Sequence, residues 1–409
     1  MKWTVGIDKL GIMLYMLLCI FSVANIHSVD PTLGQKQLIF LGISVFVGIL
    51  IFLSGKNFFE YMSPVIYVIG IIMLIGLFPF GKEIMGQKNW YKFGSFSMQP
   101  VEFAKIGTAL LLAKYASSYN YNIRNIRHLF NSFAIIVIPA AIVLAIPDVG
   151  SMLIFGAFFI VLYREGMSSF MFTLAVVLFI IFFASLVYNP IYVVSAILIV
   201  AVLFVILSSS RIRWSFGAIF MLLLTTSSVC FLSIKSQELL KKLPKHQRER
   251  IEVLYKGEAN FRDTSGYNLL YSKTAIGSGG LWGKGYKEGS VTQGKFVPEQ
   301  KTDYIFCTVG EEWGFAGATV LILCYTLFIG RIYYLAEKQK NKFNRIFGYS
   351  FGSIIFLHFC INIGMVLGLF PTVGIPLPFF SYGGSSLLAF SSMTFIFFKL
   401  NSEDRMSLV

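Results

Sequence analysis

Charge is what this sequence has least of. Asp, Glu, Lys and Arg make up 13% of its 409 residues, against 56% hydrophobic residues and a mean hydropathy of +0.72. A soluble fold of this length needs far more polar surface to cover its core, so a soluble globular domain is excluded and a polytopic membrane protein is predicted. Cysteine is sparse as well. Cys19, Cys230, Cys307, Cys324 and Cys360 lie in or beside apolar runs with no C-x-x-C spacing, which supports neither a disulfide framework nor a zinc site. They read as small buried apolar residues. His27, His128, His246 and His358 make no H-E-x-x-H pattern, which speaks against a histidine-held metal, and His358 reads as a packed, hydrogen-bonded side chain. Internal repeats and low-complexity tracts are absent, so a transporter built from detectable inverted repeats gains no support.

What charge there is sums to +14. Lys and Arg fall mostly between apolar runs, where membrane topology and anionic headgroups account for them, and nucleic acid is not expected as a partner. About twenty apolar residues cross a bilayer, and on that scale about twelve helices are predicted. They begin near Leu10, Gln37, Pro64, Pro100, Leu129, Gly150, Met167, Ile191, Trp214, Ile305, Ile346 and Gly384. With the amino terminus inside and the side switched at each helix, Lys56, Arg124, Arg127, Arg164, Arg211, Arg213, Lys338, Lys340, Lys342, Arg345, Lys399 and Arg405 all fall in cytoplasmic loops. The short outer loops 147–150, 189–190 and 370–382 hold no Lys or Arg, so both termini are expected in the cytoplasm. Lys2 and Lys9 precede the first apolar run, which reads as a retained helix, since the later spans already commit the chain to the membrane. Residues 1–409 are read as one integral membrane domain containing a long extracytoplasmic loop, 235–304. The start of that loop has apolar residues at helical spacing, as an amphipathic helix on the outer leaflet would, and its second part is rich in glycine.

Four polar clusters face the outer side. Asp303, where the long loop meets the tenth helix, is either a helix-capping carboxylate or a catalytic one. Glu311 and Glu312 follow at a depth where burial must raise a carboxyl pKa or demand a cation. Glu102 and Lys105 stand at i and i+3 after Pro100 and are expected to face a cavity, the alternative being self-neutralisation inside the bundle. Nearby Trp90 and Tyr91 suit an interfacial aromatic belt. The third cluster, S-Y-G-G-S-S, contains Ser381, Tyr382, Gly383 and Ser385. It reads either as a cavity wall whose N–H groups can bind an anion or as a plain helix start after a proline break. Asp148 in P-D-V-G-S reads as a cap between two spans. With Arg248, Arg250, Lys287 and Lys295 nearby in the sequence, an anionic lipid-linked substrate is the class that fits.

Taken together, G-Q-K-N-W, Q-P-V-E-F-A-K, P-D-V-G-S, A-I-G-S-G-G-L-W-G-K-G, F-V-P-E-Q-K-T-D-Y-I-F, G-E-E-W-G-F-A-G and N-I-G-M-V-L-G-L-F-P-T-V-G-I-P-L-P-F-F-S-Y-G-G-S-S resemble, in order and spacing, the SEDS family (shape, elongation, division and sporulation). The form G-I-P-L-P is closer to its rod-shape, elongation branch than to the division branch. The resemblance implies an all-α polytopic membrane helix bundle and a peptidoglycan glycosyltransferase that polymerises lipid II at the outer face of the bacterial plasma membrane. It implies that Asp303 is catalytic and that Trp90 matters. It also implies a class B penicillin-binding protein, the cross-linking transpeptidase, and other elongation-complex membrane proteins as partners. Family members usually have ten spans. Here three helices, beginning at Met167, Ile191 and Trp214, stand where the family has one, and the even number of additions keeps Asp303 outside.

The expected chemistry has Asp303 as general base toward the 4-hydroxyl of an incoming lipid II sugar, with polyprenyl pyrophosphate leaving. Lys105, Arg248, Arg250 and Lys295 are candidates for the departing charge, with Trp90, Glu102, Ser381, Tyr382, Gly383 and Ser385 as further substrate-binding residues. Mg²⁺ or Mn²⁺ suits the oxygen ligands of such a site, though no motif specifies a metal. A flippase of the same precursor, a division-branch polymerase and a non-catalytic scaffold are the alternatives.

Overall fold

The computed structural model describes residues 8–55, 57–84, 87–94, 96–208, 216–242 and 245–406. Lys2, Lys56, Gly86, Arg211, Arg213 and Trp214, named above, lie outside the described residues. The first elements are α1 (Lys9–Val29), α2 (Pro31–Leu53), α3 (Phe58–Ile75) and α4 (Leu77–Phe80). Asp8 caps α1 by accepting from Gly11 N at 2.7 Å, and its carboxylate is held by Arg331 Nε at 3.1 Å. Asp30 caps α2 in the same manner through Thr32 N, with Pro31 in the first turn. The apolar pattern of α2 is turned outward: Leu38, Ile39, Phe46 and Leu53 are exposed, whereas Gly34, Gln37, Leu41, Ser44 and Gly48 form the buried stripe. Lipid covers the large side chains and the small ones allow helices to approach closely, which is the inverse of a soluble helix.

A small sheet follows that the sequence reading did not anticipate. Strands β1 (Lys82–Ile84), β2 (Gln87–Phe93) and β3 (Phe96–Met98) pair antiparallel in the order β1-β2-β3, with Lys82 opposite Trp90 and Tyr91 opposite Met98. Then come α5 (Pro100–Ala116), α6 (Ile126–Ala145), α7 (Val149–Ile154) and α8 (Ala157–Arg164). The last two are a single expected span broken at Phe155 and Gly156.

Residues Ser168–Leu270 form a compact unit of their own. It contains α9 (Ser169–Val187), α10 (Pro190–Ser208), α11 (Phe216–Lys242) and α12 (Lys245–Lys256), followed by a 3₁₀ turn at Glu258–Phe261. Ser185 Oγ on α9 donates to Ser233 Oγ on α11 at 3.0 Å, one of the few polar ties between these apolar helices. The amphipathic helix expected early in the long loop is present as α12. Its exposed face is laced by Lys256–Glu252 at 3.0 Å and Arg248–Glu252 at 3.5 Å, while Val253 is buried. The expected loop begins later than Lys235, because α11 runs on to Lys242.

The division between the units falls within α13 (Tyr267–Ser278), and the other unit, Met1–Met167 with Tyr271–Val409, is completed by α14 (Ser290–Gln293), α15 (Ile305–Glu312), α16 (Gly314–Glu337), α17 (Lys342–Val366) and α18 (Gly384–Met406). The tenth expected helix is thus two helices, not one. The break at Trp313 is stabilised by the glycine-rich segment, whose Gly280 and Leu281 carbonyls accept from Phe315 N at 2.9 Å and Ala316 N at 3.0 Å. A Cβ at Gly279 would lie 2.0 Å from the Gly310 carbonyl oxygen, so glycine is what lets the two backbones touch. Every helix expected from the sequence has its counterpart. Among the described residues, six are long and apolar enough to cross a membrane by themselves: Lys9–Val29, Pro31–Leu53, Phe58–Phe80, Ile126–Ala145, Gly314–Glu337 and Lys342–Val366.

Candidate active site

Asp303 lies in the turn that leads into α15 and is half-buried. The capping position of α15 is Tyr304, which makes no side-chain cap bond, and Thr302 Oγ1 turns back to Glu299 Oε2 at 2.7 Å. Asp303 therefore does not stand at the cap position. What surrounds it is the irregular segment between α17 and α18. Ser381 Oγ donates to the Thr302 carbonyl at 2.6 Å, Tyr382 N donates to the Lys301 carbonyl at 2.9 Å, and Tyr304 OH meets Thr372 Oγ1 at 2.6 Å. Asn362 Nδ2, from α17, bonds both the Asp303 carbonyl at 2.8 Å and the Ile375 carbonyl at 2.7 Å. The backbone on both sides of Asp303 is thus fixed while its side chain sits beside Gly374. A Cβ at Gly374 would lie 3.3 Å from Asp303 Oδ2, and its φ of +72° is one that favours glycine.

The same segment reaches the two earlier clusters. A Cβ at Gly150 would lie 2.3 Å from the Val373 carbonyl oxygen, so P-D-V-G-S packs directly on the loop that holds Asp303. Asp148 caps α7 by accepting from Ser151 N at 2.9 Å, as expected, and its other oxygen accepts from Asn89 Nδ2 on β2 at 2.8 Å. Trp90, next on that strand, is half-buried. P-D-V-G-S and β2 are thereby tied to the segment that packs beside Asp303.

Two expectations change. Glu102 and Lys105 do not line an open cavity: they are 1% and 0% exposed, 2.8 Å apart, with Lys105 Nζ 2.7 Å from His358 Nε2 and 5.3 Å from the centre of the Phe390 ring. Helices α5, α17 and α18 meet there, and close packing shuts both side chains away from a substrate. Nor are the N–H groups of Tyr382 and Gly383 available for an anion. The first serves the Lys301 carbonyl and the second Gln37 Oε1 at 3.3 Å. Ser381 and Ser385 are buried; Ser381 Oγ accepts from Leu377 N at 2.8 Å and Ser385 Oγ from Gln99 N at 3.3 Å, so both hydroxyls act as internal ties. Lys295 is exposed in a left-handed conformation (φ +54°), and Lys287, also exposed, stacks over Tyr286. Arg248 and Arg250 belong to the second unit, where Arg248 faces Glu252.

Glu311 and Glu312 are anchors of the outer loop. Glu311 accepts from Val291 N at 2.9 Å, Thr292 N at 2.8 Å and Lys284 Nζ at 2.7 Å. Burial pushes its carboxyl up, but these donors together outweigh burial and hold it below the ordinary glutamate value of 4.5. Glu312 takes the Ser28 hydroxyl and Gln293 Nε2 at 3.1 Å, and there burial prevails and raises the carboxyl above that value. Among the described residues no group of three or more His, Cys, Asp or Glu could hold a metal ion.

Sequence reasoning missed Asn362, His358 and Gln37 as builders of the site. His358 and Asn362 are polar side chains inside the apolar part of α17, and that isolation was the available signal, whereas Gln37 follows Gln35 and Lys36 and gave none.

The family described as cell cycle protein, that of FtsW, RodA and SpoVE, matches residues 5–195 and 169–406. The two stretches overlap where α9 and the start of α10 lie, within the additional helices. The peptidoglycan glycosyltransferase MrdB of Escherichia coli K12 is 29% identical over 382 residues, 93% of this chain and 87% of that protein. The peptidoglycan glycosyltransferase RodA of Treponema pallidum is 26% identical, over 90% and 89% of the two chains. A chain from a peptidoglycan synthase complex that coordinates polymerization and crosslinking superposes with a TM-score of 0.73 at 21% identity, over 98% of this chain and 99% of that one. RodA of Thermus thermophilus gives 0.64 at 21%, over 98% of both chains.

Proposed function

The chain belongs to the FtsW, RodA and SpoVE family of cell cycle proteins, and from that premise we propose that it is a peptidoglycan glycosyltransferase that polymerises lipid II at the outer face of the plasma membrane during cell elongation. The observation that carries the proposal is the setting of Asp303: a half-buried residue whose own carbonyl is bonded to Asn362 and whose flanking backbone is bonded to Ser381 and Tyr382. A general base needs that combination of rigid placement and access.

Asp303 takes the proton of the 4-hydroxyl of the incoming sugar as that oxygen bonds to the anomeric carbon of the growing strand. The bond from that carbon to the pyrophosphate oxygen breaks, and polyprenyl pyrophosphate departs with the electron pair. Lys295 and Lys301, both exposed and both preceding Asp303 in the same loop, are the cations proposed to meet the leaving charge. Lys105 is removed from that role by its burial against Glu102 and His358. A Mg²⁺ or Mn²⁺ ion fits a single carboxylate such as Asp303 when pyrophosphate oxygens and water complete its shell, and it would neutralise the leaving group. The partner in this reading is a class B penicillin-binding protein, and its support is the likeness in fold to a chain from a complex that couples polymerization to crosslinking. The additional helices α9 to α11 belong to the Ser168–Leu270 unit and are free to differ in partner contact.

The test is glycan-strand formation by purified protein in detergent from lipid II, with and without a transpeptidase partner. Strands form with the wild type and not with Asp303→Asn. Because detergent dispenses with flipping, a protein that only moves lipid II between leaflets makes no strands, and that outcome sinks the proposal.

A further inference from the structure

Two polar side chains on one face of α17 transfer no proton in the chemistry above, although Asn362 holds the Asp303 carbonyl. His358 and Asn362 stand four residues apart, one helical turn, and are 1% and 0% exposed. His358 Nε2 is 2.7 Å from Lys105 Nζ, and its Nδ1 is 3.1 Å from the carbonyl oxygen of Pro376. An ammonium has donors only, so Nε2 accepts from Lys105, and the ring proton must sit on Nδ1 and be donated to Pro376. The imidazole is therefore neutral, in one tautomer, with its edge geometry against Phe390 (ring centres 4.9 Å apart, 84° between planes) holding it from the side. Lys105 is ion-paired with Glu102, which shares α5 with it at 2.8 Å. One turn along α17, Asn362 bonds the Ile375 and Asp303 carbonyls. Two successive carbonyls, those of Ile375 and Pro376, are thus pinned by one helix face, next to the glycine that touches the Asp303 carboxylate.

We infer that His358 and Asn362 are positioning residues that clamp residues 374–376 against Asp303, and that the buried Glu102–Lys105 pair serves the reaction by fixing the tautomer of His358 rather than by binding substrate. Neutralising charge inside the bundle would not require Lys105 to face an imidazole, and a buried ion pair is weak support for stability compared with apolar side chains of the same size. A chain of donors that ends on the backbone beside the base has a use: it converts helix packing into the placement of one carboxylate. The inference rests on the reading of Asp303 as the base.

The experiment uses the full chain in detergent and compares wild type, His358→Phe and His358→Gln in lipid II polymerisation and in backbone hydrogen exchange over residues 374–381. Phenylalanine keeps the ring but removes both nitrogens; the glutamine amide can accept from Lys105 and donate to Pro376. His358→Phe is expected to lower kcat about 100-fold, the effect of a misplacement near 1 Å, with KM for lipid II changed less than about twofold. His358→Gln is expected to recover to within about tenfold of wild type, and exchange at Leu377 N–H rises in the Phe variant only. Wild-type kcat in His358→Phe, or no recovery with Gln, overturns the clamp. A wild type that makes no strands overturns the assigned function, and the exchange measurement then still decides the clamp. Should His358→Phe not fold, Glu102→Gln carries the same test, with an expected fall of about tenfold in kcat and the same exchange at Leu377.

Discussion

Asp303, in the turn before α15, and Glu311, in the last turn of that helix, lie eight residues apart and are put to opposite uses. Glu311 is buried and spends both oxygens on Val291 N, Thr292 N and Lys284 Nζ. Asp303 is half-buried, and its main chain is fixed by Asn362 Nδ2 on its own carbonyl and by Ser381 and Tyr382 on its neighbours' carbonyls. A carboxylate enclosed by donors is held ionised and holds a loop in place; one whose main chain is held, and whose side chain keeps access, can exchange a proton with a substrate. The last turn of α15 thus carries an anchor, and the turn that leads into the helix carries the proposed base.

The largest effect expected from breaking this contrast is on activity. Asp303→Asn keeps size and hydrogen bonding but removes the base, and should lower lipid II polymerisation by roughly 10²–10⁴-fold with the melting temperature in detergent nearly unchanged. Glu311→Ala should do the reverse. It leaves two buried N–H groups and Lys284 without their acceptor, a loss of about 3 kcal/mol that thermal melting reads as a marked destabilisation. If Glu311→Ala melts like the wild type yet is inactive, the division between anchor and base is wrong.

Much of the fold was legible because lipid imposes a blunt rule: apolar runs of about twenty residues become helices. Every span expected from the sequence is helical, and the amphipathic stretch became α12. The break between α15 and α16 was not legible, since it depends on Gly280 and Leu281 offering their carbonyls from the preceding loop. The small sheet was hidden for the opposite reason: residues 82–98 are short, mixed in polarity and held by local pairing rather than by a periodic apolar face. At the site, motif resemblance pointed to Asp303, but residue type could not separate ties from binding groups. Ser381 hydrogen-bonds within the protein, and Glu102 and Lys105 are enclosed by α17 and α18, contacts that only tertiary packing reveals.

A milder perturbation sharpens the comparison at the base end. Gly374→Ala adds a methyl 3.3 Å from Asp303 Oδ2 at a φ of +72°. The strain is about 1 kcal/mol or somewhat more, and the carboxylate must move to accommodate the methyl. Polymerisation should fall about tenfold while melting shifts little. An unchanged rate would mean that Asp303 tolerates displacement and is not the placed base.

The smallest effect concerns pH and the anchor end. The Glu311 carboxyl is held below 4.5, so the stability it contributes is complete above that value and is lost as pH falls through its lowered folded value. The Glu312 carboxyl is raised, so its folded form favours the proton: its penalty appears as pH rises past 4.5 and is complete above its raised folded value. In the wild type the two slopes oppose each other. Replacing one at a time should expose the other: Glu312→Gln melts lower as pH is brought from neutral toward 4, whereas Glu311→Gln melts higher over the same change, each relative to the wild-type profile and each by about 2 °C. Parallel slopes in the two variants would show that the adjacent carboxylates titrate as one group and that Glu311 is not held separately by the loop it anchors.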